Sequence, residues 1–202
     1  MMKQLIALTL LASSTASFAG WTSHGRLQVN EDSIKFIGNG CSADDAFVSF
    51  NGDGSFDLVF TNLEAVTGEG VKNVTKTCQF KFDARIPAGL TFTTSRAGIA
   101  GFSNISSENG QTLATLRHTL GGQVSDAAIA SYTYADGSVQ DVVLNKDLHF
   151  AKKIWNPCGK DTTFKTTVTV NAKGDDAVIS ISEGAQSGKT YSIRYYWTWK
   201  SC

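Results

Sequence analysis

Apolar and polar residues alternate with a period of two along most of the chain after residue 30. From Gln79 to Ile86 the alternation is complete: Phe80, Phe82, Ala84 and Ile86 share one face, while Gln79, Lys81, Asp83 and Arg85 share the other. That pattern predicts a half-buried strand, ended by Pro87-Ala88-Gly89, with Leu90 and Phe92 opening the next run. Upstream, Ala46 to Phe50 and Phe56 to Phe60 flank Asn51-Gly52-Asp53-Gly54. Asn-Gly and Asp-Gly supply the positive φ angles of tight turns, so this stretch predicts a hairpin. Downstream, Phe164, Val168 and Val170 alternate with Lys165, Thr167 and Thr169, and Ala177 to Ser182 predicts a strand after the Lys173-Gly174-Asp175-Asp176 turn. In the last run Tyr191, Ile193, Tyr195, Trp197 and Trp199 fall on one face, opposite Ser192, Arg194, Tyr196, Thr198 and Lys200. A strand with that much aromatic area on one side is expected to run through the core.

Between residues 95 and 155 the alternation is looser. Gly98, Gly101, Gly110, Gly121 and Gly122 are expected to break it into strands such as Gln111 to Leu120, Ala130 to Ala135 and Asp141 to Phe150. No stretch carries the 3.6-residue period of an amphipathic helix, and no repeat or low-complexity linker divides the chain. Short strands separated by Gly, Asn and Asp turns predict an all-β domain, an antiparallel β-sandwich of jelly-roll-like form. Glu31-Asp32, Asp44-Asp45 and Asp175-Asp176 are expected in turns or loops, because neighbours on a strand point to opposite faces.

The first nineteen residues break the pattern. Met1-Met2-Lys3, an apolar stretch from Leu5 to Ala12, and Ser17-Phe18-Ala19 form the three parts of a secretory signal, which sets the expected domains at 1–19 (signal peptide) and 20–202 (one secreted β domain). The apolar stretch is far shorter than the roughly 20 residues that span a bilayer, so no membrane span is expected. The expected location is therefore periplasmic or secreted. Eighteen basic residues balance eighteen acidic ones, with the signs interspersed. Nucleic acid is not expected as a partner, because such binding needs a basic surface to neutralise phosphates.

Four cysteines, Cys41, Cys78, Cys158 and Cys202, all lie beyond the leader. An even number in an oxidising compartment predicts two disulfides, and the three pairings stay open. Metal-binding cysteines usually come as close pairs, whereas here the nearest two are 37 positions apart, so no metal or other cofactor is expected.

Reactive chemistry is sparse. The three histidines, His24, His118 and His149, sit in no nucleophile or metalloprotease motif. His118 beside Arg117 and His149 beside Asp147 could pair in space, but lone histidines on strands are more often ordinary surface or core residues. Asn51 to Asp57 carries oxygens at alternate positions, like the start of a calcium loop, but lacks the sixth-position glycine and closing glutamate of an EF-hand; it is better read as a hairpin tip. Trp21, Tyr132, Tyr134, Trp155 and Tyr196 are the candidate ligand-binding residues. They are expected near the start, in loops or on the polar face of the last strand, where a flat ring can cover the apolar face of a sugar.

The cysteines and their neighbours form an ordered set: Gly38-Asn39-Gly40-Cys41, Phe56 to Phe60, Lys76-Thr77-Cys78-Gln79, Ile86-Pro87-Ala88-Gly89-Leu90-Thr91-Phe92, Gly98 to Gly101, and Trp197-Thr198-Trp199-Lys200-Ser201-Cys202. From about residue 34 to the end, this resembles the secreted family catalogued as domain of unknown function 4360, found in fungi and bacteria. The resemblance implies a secreted, cysteine-bridged β domain and transfers no activity or catalytic residue. The leading functional expectation is a non-enzymatic protein that binds a glycan or another surface protein. A polysaccharide hydrolase, which needs two converging carboxylates, and a purely structural envelope component are the alternatives.

Overall fold

The computed structural model describes residues 20–134, 140–182 and 191–202, the side chains of 140–144 excepted. The leader expected over residues 1–19 lies outside the described residues, as does Ala135, the last residue of the strand expected from Ala130.

The chain forms two antiparallel sheets packed face to face. The first sheet contains β1 (Trp21–His24), β2 (Leu27–Gly38), β6 (Asn73–Arg85), β12 (Thr162–Lys173), β8 (Gln111–Leu120) and β10 (Ala128–Thr133) in that spatial order, with β9 (Gln123–Val124) beside β8. The second contains β3 (Ala46–Phe50), β4 (Ser55–Phe60), β14 (Ser192–Ser201), β7 (Leu90–Ile105), β13 (Ala177–Ser180) and β5 (Glu64–Val66), with β11 (Gln140–His149) along β7. β13 and β14 pair with successive parts of β7, Phe102 to Ile105 and then Leu90 to Ile99.

Alternation decides which side chains enter the core. From the first sheet come Phe80, Phe82, Phe164, Val168 and Leu116, and from the second Phe56, Leu58, Ile193 and Tyr195, all fully buried. The rings interlock: Phe56 stacks on Tyr195 at 5.0 Å and meets Phe164 edge-on at 5.6 Å. Each such pair contributes about 0.5–1.5 kcal/mol beyond the burial of its area. Tyr195 also donates or accepts one hydrogen bond with Thr166 Oγ1, which meets the need of a phenol in a dry core.

Two elements depart from the sequence expectation. Gly98 and Gly101 do not break the chain; both lie inside β7, a continuous strand of 16 residues. β7 is paired along both edges, by β14 on one side and β11 on the other, and that ladder outweighs the weak strand propensity of glycine. The second departure is β1 with β2, where no strand was expected. Glu31 and Asp32, expected in a loop, lie in β2, at an irregularity where its pairing with β6 skips from Asn30 to Lys35. The hairpin forms as expected, closed by Asn51 N–H to Ser55 O at 2.9 Å.

The disulfides join Cys41 to Cys78 and Cys158 to Cys202. Both bridges are consistent with an extracytoplasmic protein. No helix among the described residues is long and apolar enough to cross a membrane.

Candidate functional site

The outward side chains of β14 are Ser192, Arg194, Tyr196, Thr198 and Lys200, and the strand register sets their neighbours. Ser55, Tyr196, Arg96 and His149 form one row across β4, β14, β7 and β11. The next row is Asp57, Arg194, Gly98 and Asp147, and beyond it come Val59, Ser192, Ala100 and Asn145. With only a hydrogen and a methyl at Gly98 and Ala100, the middle of this face is low. A shallow cavity of about 200 Å³ lies there, walled by Asn145, Asp147, Ser192, Arg194 and Tyr196.

The walls are electrostatically organised. Arg194 donates from Nε to Asp57 Oδ1 and from Nη2 to Asp57 Oδ2, each at 2.7 Å. Burial alone would raise the Asp57 carboxyl, but the guanidinium and the Asn51 amide outweigh it and hold the group below the usual carboxylate value. The same hydrogen bonds raise Arg194 further above its already high value. Arg96 lies over the Tyr196 ring, 3.9 Å from its centroid, with its Nη1 3.8 Å from Asp147 Oδ2.

Trp155 reaches the same face from the segment after β11, with the Lys200 ammonium 4.1 Å over its ring. Asn156 holds that segment down. Its Oδ1 accepts from Phe92 N–H at 2.7 Å and Thr91 Oγ1 at 3.0 Å, its N–H donates to Phe92 O, and its Nδ2 donates to Pro157 O. The Cys158–Cys202 bridge then ties the segment to the residue after β14.

Of the five candidate aromatics, Tyr196 and Trp155 are therefore brought together, and the other three are not. Trp21 lies on the outer face of the first sheet, in β1 rather than a free segment, with Arg85 4.0 Å over its ring. Tyr132 lies in β10, packed against the core and under Lys146 Nζ at 4.5 Å. Tyr134 follows β10, its N–H bonded to Gly110 O at 3.3 Å. The histidines lie apart in three settings: His118 is buried in the core against Phe150, His149 is on the rim beside Arg96, and His24 stacks on Phe50 with Glu31 Oε1 3.8 Å from its Nε2. Among the described residues no three His, Cys, Asp or Glu side chains cluster as metal ligands.

Among the described residues, Asp57 and Asp147 lie three strand spacings apart on this face, about 14 Å at ~4.8 Å per strand. Glycoside hydrolysis uses carboxyl pairs about 5–9.5 Å apart. Asp57 is also committed to Arg194 through two hydrogen bonds. Arg96, Asp147, Asn145 and the Gly98 floor were not among the sequence candidates. Their only signal is the β7–β11 register, which alternation within one strand does not reveal.

Fold and face together define a disulfide-stapled antiparallel β-sandwich with a polar, aromatic-bearing outer sheet. The chain belongs to the family described as Domain of unknown function (DUF4360), whose model matches residues 27–202. A comparison with curated proteins finds no match. Among solved structures, the carbohydrate-binding module TmCBM61 in complex with beta-1,4-galactotriose is distantly similar: 12% identity, TM-score 0.25, covering 90% of this chain and 89% of that one. The infectious bursal disease virus Gx strain structure matches at 15% identity and TM-score 0.22, over 98% of this chain and 42% of that one. A GH31 alpha-xylosidase from Xanthomonas citri matches at 9% identity and TM-score 0.18, over 85% and 26%.

Proposed function

We propose that this is an exported, non-enzymatic glycan-binding module, and that a saccharide lies along β14 on the outer face of the second sheet. The leader is removed before Gly20 and the bridges close in the oxidising compartment. One observation carries the reading. Tyr196 and Trp155, the latter held at the level of Lys200, sit on one face four β14 residues apart, or about 13 Å, beside a low floor edged by Asn145, Asp147 and Arg194. Rings take the C–H faces of pyranoses, and the polar edge takes their hydroxyls.

Arg96 and Lys200 cover the rings in the free protein. Exposed cation–π contacts are worth only about 0.5–1 kcal/mol, against about 4–8 kcal/mol for millimolar to micromolar binding. A sugar therefore displaces the cations at small cost, and the freed guanidinium turns to its hydroxyls.

The test is depletion of the mature protein by insoluble peptidoglycan, chitin, cellulose and whole-cell envelopes. Selective depletion that falls at least about tenfold, roughly 1.4 kcal/mol, in Tyr196→Ala, Trp155→Ala and the floor-filling Gly98→Val supports the reading. A Cβ at Gly98 meets nothing closer than 3.6 Å, so that variant fills the cavity without a backbone clash. Absence of depletion by every polymer overturns it in favour of a protein partner or a structural role.

A hydrolase reading has one observation behind it: Asp83 and Asp161 line a single cavity with Trp21. Asp161 is exposed and 3.6 Å from Arg85 Nε, the opposite of the dry pocket that makes a carboxyl a general acid. Release of reducing ends from the bound polymer, lost in Asp83→Asn, would establish it.

A further inference from the structure

The arrangement at Tyr196 occurs a second time. Around Trp21, on the outer face of the first sheet, Arg85 lies 4.0 Å over the ring and its Nε is 3.6 Å from Asp161 Oδ2. Around Tyr196, on the outer face of the second sheet, Arg96 lies 3.9 Å over the ring and its Nη1 is 3.8 Å from Asp147 Oδ2. Each group is an aromatic ring, a stacked guanidinium and a carboxylate at the guanidinium edge.

Each also borders open space. Trp21, Asp83 and Thr163 wall a cavity of about 330 Å³, and Arg85 and Gln28 wall a second of about 410 Å³; Asp161 lines both. The strand register explains the assembly. Trp21 pairs with Asn30, Asn30 with Asp83 and Asp83 with Thr163, so one outward row crosses four strands, and Arg85 is two residues further along β6. Both guanidinium side chains are more than a third exposed, at 47% and 39%, and so are open to a ligand from solvent.

We infer that the protein carries two equivalent saccharide sites, one on each sheet, and that it bridges two glycan chains. The inference rests on the glycan reading above and extends it. Stacked sheets lie about 10 Å apart, and the two rings point away from each other with the core between them. A short saccharide cannot touch both, so the two sites engage two strands of a polymer or two particles. The shared chemistry, a ring for a C–H face with an adjacent Arg and Asp for hydroxyl and carbonyl groups, assigns the same ligand class to both: a polymer of pyranose units.

The experiment combines depletion with flocculation of suspended cellulose nanocrystals, chitin whiskers and peptidoglycan sacculi, followed by light scattering. Wild-type protein is expected both to bind one of these and to flocculate it. Trp21→Ala is expected to keep binding through the second sheet, to lose flocculation, and to bind the polymer at least about tenfold more weakly, since bivalency multiplies affinity by about 10²–10⁴. Tyr196→Ala is expected to mirror it, and the double variant to lose both signals. Asp161→Arg, at an exposed position, provides a blocking variant if Trp21→Ala proves misfolded by circular dichroism. If Trp21→Ala and Asp161→Arg both bind and flocculate like wild type, the second site is overturned and the glycan reading stands. If wild type depletes with none of the three, both fall.

Discussion

Arg194 and Asp57 face each other across β14 and β4 through two parallel hydrogen bonds of 2.7 Å. Asp57 is only 8% exposed and takes a third hydrogen bond, at 3.0 Å, from the Asn51 amide at the hairpin tip. The pair thus joins the edge hairpin to the central strand of the candidate site. Arg194→Met leaves a buried carboxylate with one neutral donor, and hydrogen bonds to charged groups are worth about 1.5–3 kcal/mol. Because nearly half of the Arg194 side chain is in water, the low end applies, and a loss of about 1.5–2 kcal/mol is expected in urea denaturation. Asp57 is held below its unfolded value, so its stabilisation is fully present above about pH 4 and fades as pH falls through the folded value. In Arg194→Met that acid-limb loss should shrink.

His118 gives a second pH dependence of known sign. Its ring is 1% exposed, lies edge-on to Phe150 at 4.4 Å and parallel to Phe164 at 6.0 Å, and neither ring nitrogen has a hydrogen-bond partner. Burial drives its pKa down to about 4, only partly opposed by the Asp126 charge. The unfolded chain takes up this proton near pH 6.5 and the folded one only near pH 4, so stability is lost as pH falls through that window. The loss approaches about 3 kcal/mol, at 1.36 kcal/mol per unit. His118→Leu removes a titrating group and two unpaired polar atoms. Thermal melts at pH 7.5 and 4.5 should therefore differ less in the variant, and the variant should melt higher at both. An unchanged difference would mean that the imidazole is not dry.

The strands that alternation predicts well are those whose buried face is unbroken in sequence: β6, β12 and β14, the last in spite of a register shift against β7 between Tyr196 and Trp197. β2 escaped because Asn30-Glu31-Asp32-Ser33 sits where its register skips, so its polar residues follow one another instead of alternating. Gly98 and Gly101 look like breakers because intrinsic propensity is local, while the pairing of β7 on both edges is not. The same limit governs the site. Trp155 and Tyr196 stand out by residue type, but Arg96 comes to Tyr196 and Asp147 to Gly98 only through cross-strand register. The cysteine pairing was equally invisible, since all three pairings close long loops.

The two disulfides should differ in access rather than in thermodynamic worth. They close loops of similar length, with separations of 37 and 44 residues, and the chain-entropy relation assigns each about 4 kcal/mol. Cys41 and Cys78 are 7% and 1% exposed, whereas Cys158 and Cys202 are in solvent. A thiolate must reach a sulfur to exchange with it. Brief treatment with a dithiol followed by alkylation is expected to label Cys158 and Cys202 first, and peptide mapping reads the order. Because that bridge fastens the Trp155 segment beside β14, the singly reduced protein should also bind polymer more weakly before it unfolds. Labelling of Cys41 at equal rate would contradict the burial argument.

Two glycines in turns should respond oppositely to alanine. Gly174, in the turn between β12 and β13, has φ of 88°, and a Cβ there would lie 2.0 Å from Asn109 O and 2.5 Å from Asn109 C. That backbone cannot retreat easily: Ser107 Oγ donates to Asp175 O, and Gly174 N–H donates to Lys72 O at 2.9 Å, so three segments meet at the turn. Left-handed strain of about 1–2 kcal/mol and a steric cost of about 1–3 kcal/mol add, so Gly174→Ala is expected to cost about 2–5 kcal/mol. Gly52, at the β3–β4 hairpin tip, has no positive φ, and a Cβ added there would meet nothing within 4 Å. There alanine narrows only the unfolded ensemble, which stabilises by about 0.4–1 kcal/mol. At about 2–4 °C per kcal/mol for a domain of this size, the melting points should separate by at least about 5 °C. Equal melting points would mean that the β12–β13 turn is not docked on the Ser107–Gly110 turn, and the close approach of those two backbones would be wrong.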